Sequence, residues 1–337
     1  MKKSLFSISL ALTALAFISC GGKASADNKC QGACCQDKQV AAAVADTATV
    51  YFIKDITPEN MMKIYQALGR EAKGKVAVKL STGEKGNTHY LKPALIGPLV
   101  QSVGGTIVEC NTAYTGARYD TEEHLQVARD HGFFDIADVV ILDSQGDVAL
   151  PVKGGKHLKE NYVGKDWEDY GFTMVLSHFK GHQMAGFGGA MKNISIGLAS
   201  GDGKTWIHTA GKTKDRKEIW ANIADDDTFQ EAMAESSKSV VDRAGDNILY
   251  INVANNLSID CDCNGNPHAP TMADLGIFAS LDPVAVDQAC IDAVEASDDG
   301  GKIHLIERID SKHGRHNLEY AEQLGVGTRN YKLVVLE

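Results

Sequence analysis

KVAVKLSTGEKGNTHYLKPALIGPLVQSVGGTIVEC, residues 75–110, decides the fold. It opens with KVAVKL (75–80) and closes with TIVEC (106–110), two short apolar runs rich in β-branched residues, as buried strands are. Between them, residues 91–103 read as a helix. Pro93 lies near its start, where a missing N–H is harmless, and Pro98 is expected to kink it. Strand, helix and strand in so short a span make a crossover unit, which places the two strands parallel in one sheet.

The same rhythm extends on both sides. TVYFI (49–53) reads as a strand, and PENMMKIYQALGRE (58–71) as a helix with Thr57 as N-cap and Pro58 in the first turn. TEEHLQVARDHGF (121–133) is a helix stopped by Gly132, and ADVVILD (137–143) the next strand. Farther on, FTMVLSH (172–178), NILYINVA (247–254) and YKLVVL (331–336) read as strands, with helices around 190–199, 227–243 and 282–296. Asp282 and Pro283 mark the start of the last of these. The expectation is an α/β fold: a mostly parallel sheet or sheets with helices on both faces, as one large domain or two packed halves.

The ends read differently. Lys2 and Lys3 precede an apolar run at 5–18 that is too short to span a bilayer, and FISC with Gly21 and Gly22 looks like a lipobox. Residues 1–19 are therefore expected to be a lipoprotein signal peptide, with Cys20 as the lipidated N-terminus. Residues 20–46 have no helical or strand periodicity and read as a tether carrying Cys30, Cys34 and Cys35, leaving 47–337 as the folded domain. The expected location is the bacterial cell envelope, with the lipid as the membrane anchor. A net charge of −10 argues against nucleic acid and against attraction to anionic lipids, and 44% hydrophobic residues suffice for a large core.

Chemistry-bearing residues concentrate in two segments. The first is SHFKGHQMAGFGGAMKN, 177–193. In an extended chain His178, Lys180 and His182 share one face. Gly186, Gly188 and Gly189 permit close backbone approach, and Lys192 and Asn193 fall where a helix begins. Backbone amides, a helix start and a lysine together suit an anion. Neither the Walker A nor the dinucleotide-fold glycine pattern is present. A tight strand-to-helix turn is the blander account of the same glycines.

The second is IDCDCNGNPH, 259–268. Extended residues two apart lie about 6.6–7.2 Å from each other, at the upper edge of disulfide geometry. Cys261 and Cys263 could instead bind a soft or borderline metal with His268 or a residue of the glycine-rich loop, act as a redox pair, or be plain structural thiols. Among carboxylates, Asp274 sits at a strand start, Asp282 caps a helix, and Asp287 lies one turn into that helix, where it could face the same cleft. Two strand-following loops are further candidates to line it: STGEKGNTHY, with Glu84, Lys85, Asn87 and His89, and NTAYTGARYD, with Asn111, Tyr114 and Arg118. No GxSxG elbow or HExxH occurs.

KLSTGEKGNTHYLKP, NTAYTGARYDTEEHL, LSHFKGHQMAGFGGAMKNISIG and CDCNGNPHAPTMADLGIFASLDPVAVDQACID, in that order, resemble the family known as domain of unknown function 362. Many of its members carry a two-cluster ferredoxin module between the glycine-rich loop and the CDC segment. This chain has no cysteine between Gly203 and Asp260, and a ferredoxin needs four per cluster, so no integral ferredoxin-type iron–sulfur cluster is expected. The resemblance implies that the glycine-rich loop and the CDC segment share one site, to which electrons would come from a separate carrier.

The leading expectation is a lipid-anchored envelope protein with a cofactor or metal site, oxidoreductase-like if it is an enzyme. The site would be built from His178, Lys180, His182, Gly186, Gly188, Gly189, Lys192 and Asn193 facing Cys261, Cys263 and His268. The alternatives are a non-catalytic module for a small anionic ligand, and an acid–base enzyme using His178 or His182 with Asp274 or Asp287.

Overall fold

A computed structural model describes residues 47–337; the expected signal peptide, lipidated Cys20 and tether lie outside the described residues. Strand β1 (Ala48–Ile53) leads into helix α1 (Pro58–Ala67), where the Thr57 side chain accepts the Asn60 N–H as the N-cap reading requires. Then come β2 (Val76–Lys79), α2 (Pro93–Ser102), β3 (Gly105–Glu109), α3 (Thr121–Asp130) and β4 (Val139–Ile141). A hairpin of β5 (Asp147–Pro151) and β6 (Glu160–Gly164) separates these from β7 (Phe172–His178). The glycine-rich loop folds into a small ribbon, β8 (Lys180–His182) and β9 (Gly186–Gly188), before α4 (Ala190–Ser195) and α5 (Gly201–His208). After α6 (Ile219–Asn222) and the long α7 (Asp226–Ala244), β10 (Ile248–Ala254) and β11 (Gly276–Ser280) enter the sheet. Helices α8 (Pro283–Ala296), α9 (Lys302–Ser311) and α10 (Gly314–Gln323) and strand β12 (Tyr331–Val335) complete the chain.

Eight strands form one sheet in the order β12-β1-β11-β10-β7-β2-β3-β4. Seven share a direction, and β11 alone runs antiparallel to both neighbours. The α/β expectation is met, as a single sheet rather than two packed halves.

Successive residues of β10 show how both faces are covered. Ile248 and Tyr250 join the core against α4, α7 and α8, whereas Leu249, Ile251 and Val253 join the core against α1 and α2. Burial on both faces is why these strands read as continuous apolar runs. Because β2, β3, β7 and β10 are parallel, the four loops that follow them emerge at one edge, the carboxyl edge where open α/β sheets bind ligands. No helix among the described residues is long and apolar enough to cross a membrane.

Candidate functional site

The four loops enclose a cavity of about 390 Å³. One wall is the end of β7 and the glycine-rich ribbon, with His178, Lys180, His182, Gly188, Gly189, Lys192 and Asn193. The facing wall is Cys261, Asp262, Cys263 and Asn264 from the loop after β10. Gly181 lets the walls meet: its N–H donates to Ser258 O at 2.8 Å, and a Cβ there would run into the Ile259 backbone. The 81–92 loop docks on the same segment, with Glu84 N–H donating to Asp262 O at 2.7 Å and Asn87 Nδ2 to Asn264 O at 2.8 Å.

Asp262, between the two cysteines, is the anchor. It is buried, and its oxygens accept from His178 Nδ1 at 2.9 Å and Lys180 Nζ at 2.8 Å. Burial opposes its ionisation, but the charges of His178 and Lys180 outweigh that and hold the carboxyl well below the usual range. His178 Nε2 faces Asn255 O at 2.6 Å, so both ring nitrogens point at acceptors.

The two cysteines are joined. Their Cα atoms are 5.2 Å apart because Asn264 N–H closes a turn on Cys261 O at 3.0 Å. The extended-chain expectation fails here, because a turn begins at Cys261 and draws the two residues together. His182 Nε2 lies 3.8 Å from Cys263 Sγ. His182, Cys261 and Cys263 present donor atoms within 4.8 Å of one another, the one such group of metal-ligand types among the described residues. His268, the third ligand expected from sequence, is not among them. Its side chain is 74% exposed, and its Nδ1 lies 2.6 Å from Asp260.

Charge sets the character of the interior. Lys79, Lys180, Lys192, Lys204 and Arg118 line it against Glu109 and Asp262 as the carboxylates. Lys79 reaches Leu80 O at 2.6 Å and Asn193 Oδ1 at 3.0 Å, and Lys204 reaches Ala199 O at 2.5 Å. Burial pushes the Lys79 ammonium down to about 8. Burial opposes ionisation of Glu109 as well, but His124, 3.8 Å away, and the charge of Arg118 keep its carboxyl below the ordinary range. Lys192 differs from the other lysines: its ammonium has no hydrogen-bond or ion-pair partner among the described residues. Burial, followed by the charges of Lys180, Lys79 and Arg118, pushes it down to about 7. Tyr114 and the 63%-exposed Trp220, their ring centroids 6.3 Å apart, also line the cavity.

Other expected site residues take structural positions. Asp287 lies beneath the glycine-rich loop, where it accepts the N–H groups of Ala190 and Met191 at 2.7 and 2.9 Å and Asn252 Nδ2 at 2.6 Å. It thereby takes the backbone amides that a helix start would have offered an anion, and burial pushes its carboxyl up to about 6. Gly186, at φ +78°, packs on the Ile309 backbone of α9 and not on the cavity. Asn193 touches the cavity, but its amide ties α4 to Lys79 O and Leu176 O at the ends of β2 and β7. Asp282 caps α8 as read, and Asp274 accepts the Asn256 N–H at 2.8 Å, outside the cavity lining. Lys79, Glu109, Lys204 and Asp262 were not singled out from sequence. The available signal was a charged residue at the carboxyl end of an apolar strand, as in VAVK and TIVE.

No curated protein matches the chain. Among solved structures, the lactate racemase apoprotein from Thermoanaerobacterium thermosaccharolyticum is similar at 14% identity and TM-score 0.38, over 60% of this chain and 50% of that one. A protein from Thermotoga maritima is similar at 13% identity and TM-score 0.37, over 79% of this chain and 58% of that one. The chain thus spans only 50% and 58% of the length of these two structures. The family described as Domain of unknown function (DUF362) matches residues 76–292, which contain every residue lining the cavity, and the chain belongs to that family.

Proposed function

We propose that the protein binds a small organic anion in this cavity and acts on it by redox chemistry at Cys261 and Cys263. The Lys192 ammonium carries the reading. In a chain of net charge −10, five cationic side chains converge on one cavity lined by two carboxylates, and one of the five has no partner. The half-buried Lys192 ammonium opens on the cavity without a partner, and a carboxylate or phosphate group on a ligand would supply one. Tyr114 and Trp220 offer the apolar body of such a ligand a surface.

Sulfate and pyrophosphate as probes test the binding half by thermal shift and calorimetry. Each is expected to stabilise the protein, and Lys192→Met to remove most of the effect. Probes that stabilise wild type and variant equally would end the reading.

Metal binding is the second reading, favoured by the spacing of His182, Cys261 and Cys263. It requires the disulfide to be reduced first, since thiolates are the ligands. It also requires an unprotonated Nε2 on His182, although Nδ1 already accepts from Met184 N and Ala185 N at 3.1 and 3.0 Å. A ligating histidine ordinarily donates through its other nitrogen. Reduced protein that retains one equivalent of zinc, lost on His182→Ala, would favour this reading over the first.

Neither histidine suits acid–base work as placed, because each ring nitrogen of His178 and Nδ1 of His182 is engaged. We further propose that a lipid on Cys20 holds the protein at the bacterial envelope, where a separate carrier supplies electrons. Cys20→Ser should move it from the membrane to the soluble fraction.

A further inference from the structure

The two sulfurs of the Cys261–Cys263 disulfide are not equivalent. Cys261 is 3% exposed, and its Sγ accepts the Cys263 N–H at 3.3 Å. Cys263 is only partly buried, and its Sγ faces His182 Nε2 at 3.8 Å. Because His182 Nδ1 accepts two backbone N–H groups, the proton of the neutral ring lies on Nε2, directed at Cys263. A fixed N–H donor and a cationic cavity are the surroundings that stabilise a thiolate.

We propose that Cys263 is the sulfur through which this disulfide exchanges with a small anionic thiol or disulfide, that Cys261 is the resolving thiol, and that His182 Nε2–H holds Cys263 as its thiolate. The assignment rests on the redox half of the reading above. In the reducing direction, the thiolate of an anionic dithiol attacks Cys263 Sγ. The Cys261–Cys263 bond breaks, and its electron pair goes to Cys261 Sγ beside the Cys263 N–H. The second thiolate of the dithiol then attacks the mixed disulfide and releases Cys263 as a thiolate against His182. One disulfide is reduced and one formed, with two electrons transferred; of the two protons lost by the incoming thiols, one goes to Cys261 Sγ and the other to solvent. In the reverse direction, Cys263 attacks an anionic disulfide and Cys261 resolves the product.

The test uses the full chain as Cys261→Ser and Cys263→Ser variants, reduced, freed of reductant and reacted with two probes: dithiobis(nitrobenzoate), an anionic disulfide, and cystamine, a cationic one. Mass-spectrometric mapping locates the adduct apart from the other cysteines. Cys263 in the first variant is expected to react at least about tenfold faster than Cys261 in the second, given its access and thiolate stabilisation. The anionic probe should outpace the cationic one, and Lys192→Met in the Cys261→Ser background should narrow that preference. Adding His182→Ala should slow the reaction more at pH 6 than at pH 9, where the thiolate forms unaided. Equal rates at the two sulfurs, indifference to probe charge, or a pH profile unmoved by His182→Ala would each overturn the proposal. Sulfate stabilisation measured on the same variants reports folding and anion binding, so failure of the exchange is separable from failure of the anion site.

Discussion

The pH dependence of anion binding is the sharpest consequence of the unpartnered lysine. With its ammonium pushed down to about 7, Lys192 is about 90% protonated at pH 6 and about 3% protonated at pH 8.5. If only the protonated form holds the anion, the dissociation constant rises about 30-fold across that window, approaching a decade per pH unit above 7. Sulfate is the probe of choice because it does not titrate there. The groups acting on Lys192 are Lys180, Lys79 and Arg118, which lower it, and Asp262, which raises it. Of these, Lys79, at about 8, is the other lysine losing its proton within the window, steepening the upper end. A charge-assisted hydrogen bond is worth about 1.5–3 kcal/mol, so Lys192→Met should weaken sulfate binding at pH 6 by about 10- to 150-fold. It should also flatten the profile below pH 8. The assay is isothermal calorimetry at half-unit pH steps and constant ionic strength. Affinity that is flat or tightens as pH rises would refute the reasoning, as would a Lys192→Met profile parallel to wild type.

Three other outcomes follow from the same geometry. Asp262→Asn strands the buried Lys180 ammonium and removes the carboxylate facing His178 Nδ1, and should cost about 3–5 kcal/mol in urea unfolding; a loss under about 1 kcal/mol would show that the pairing does not hold the CDC turn. Asp287 is lifted from 3.8 to about 6, so its contribution to stability is complete below about pH 4 and is lost as pH rises through about 6, roughly 3 kcal/mol in all. The stability difference between wild type and Asp287→Asn should accordingly move toward the variant by that amount between pH 4 and 7.5, and an unchanged difference contradicts the burial argument. Gly181→Ala forces a methyl group into the Ile259 backbone and should cost about 1–3 kcal/mol in thermal or urea unfolding, whereas a neutral substitution would mean that the two walls do not approach as described.

The sheet was legible because both its faces are buried. Strands such as β7 and β10, with every residue buried, leave largely apolar runs, and helices α1 and α8 carry caps at Thr57 and Asp282. What escaped reading has weaker marks. Helix α9 buries only Leu305 and Ile309, and α10 buries Gly314, Asn317, Leu318 and Ala321, too sparse a stripe to stand out from a polar stretch. Strand β11 was marked by the strand start read at Asp274, but its reversed direction is set by the path of residues 255–275, which no local pattern records.

The site was legible as two segments, while its chemistry depended on what lies between residues near in sequence. His268 follows Cys263 by five positions, yet the turn that starts at Cys261 carries it outward to Asp260. His182, some eighty residues earlier, is brought to the sulfur by the Gly181 contact. Asp262 explains the spacing of the cysteines better than ligation does. Its side chain is drawn to His178 and Lys180, and with its backbone carbonyl accepting the Glu84 N–H it is fixed at the middle of the turn. The residues on either side are then held close enough to bond, one sulfur enclosed and the other facing a cationic cavity. A carboxylate shared in this way leaves the cavity net positive, and among the five cations that line it Lys192 is the one whose ammonium has no hydrogen-bond or ion-pair partner among the described residues, so an incoming anion would be met there.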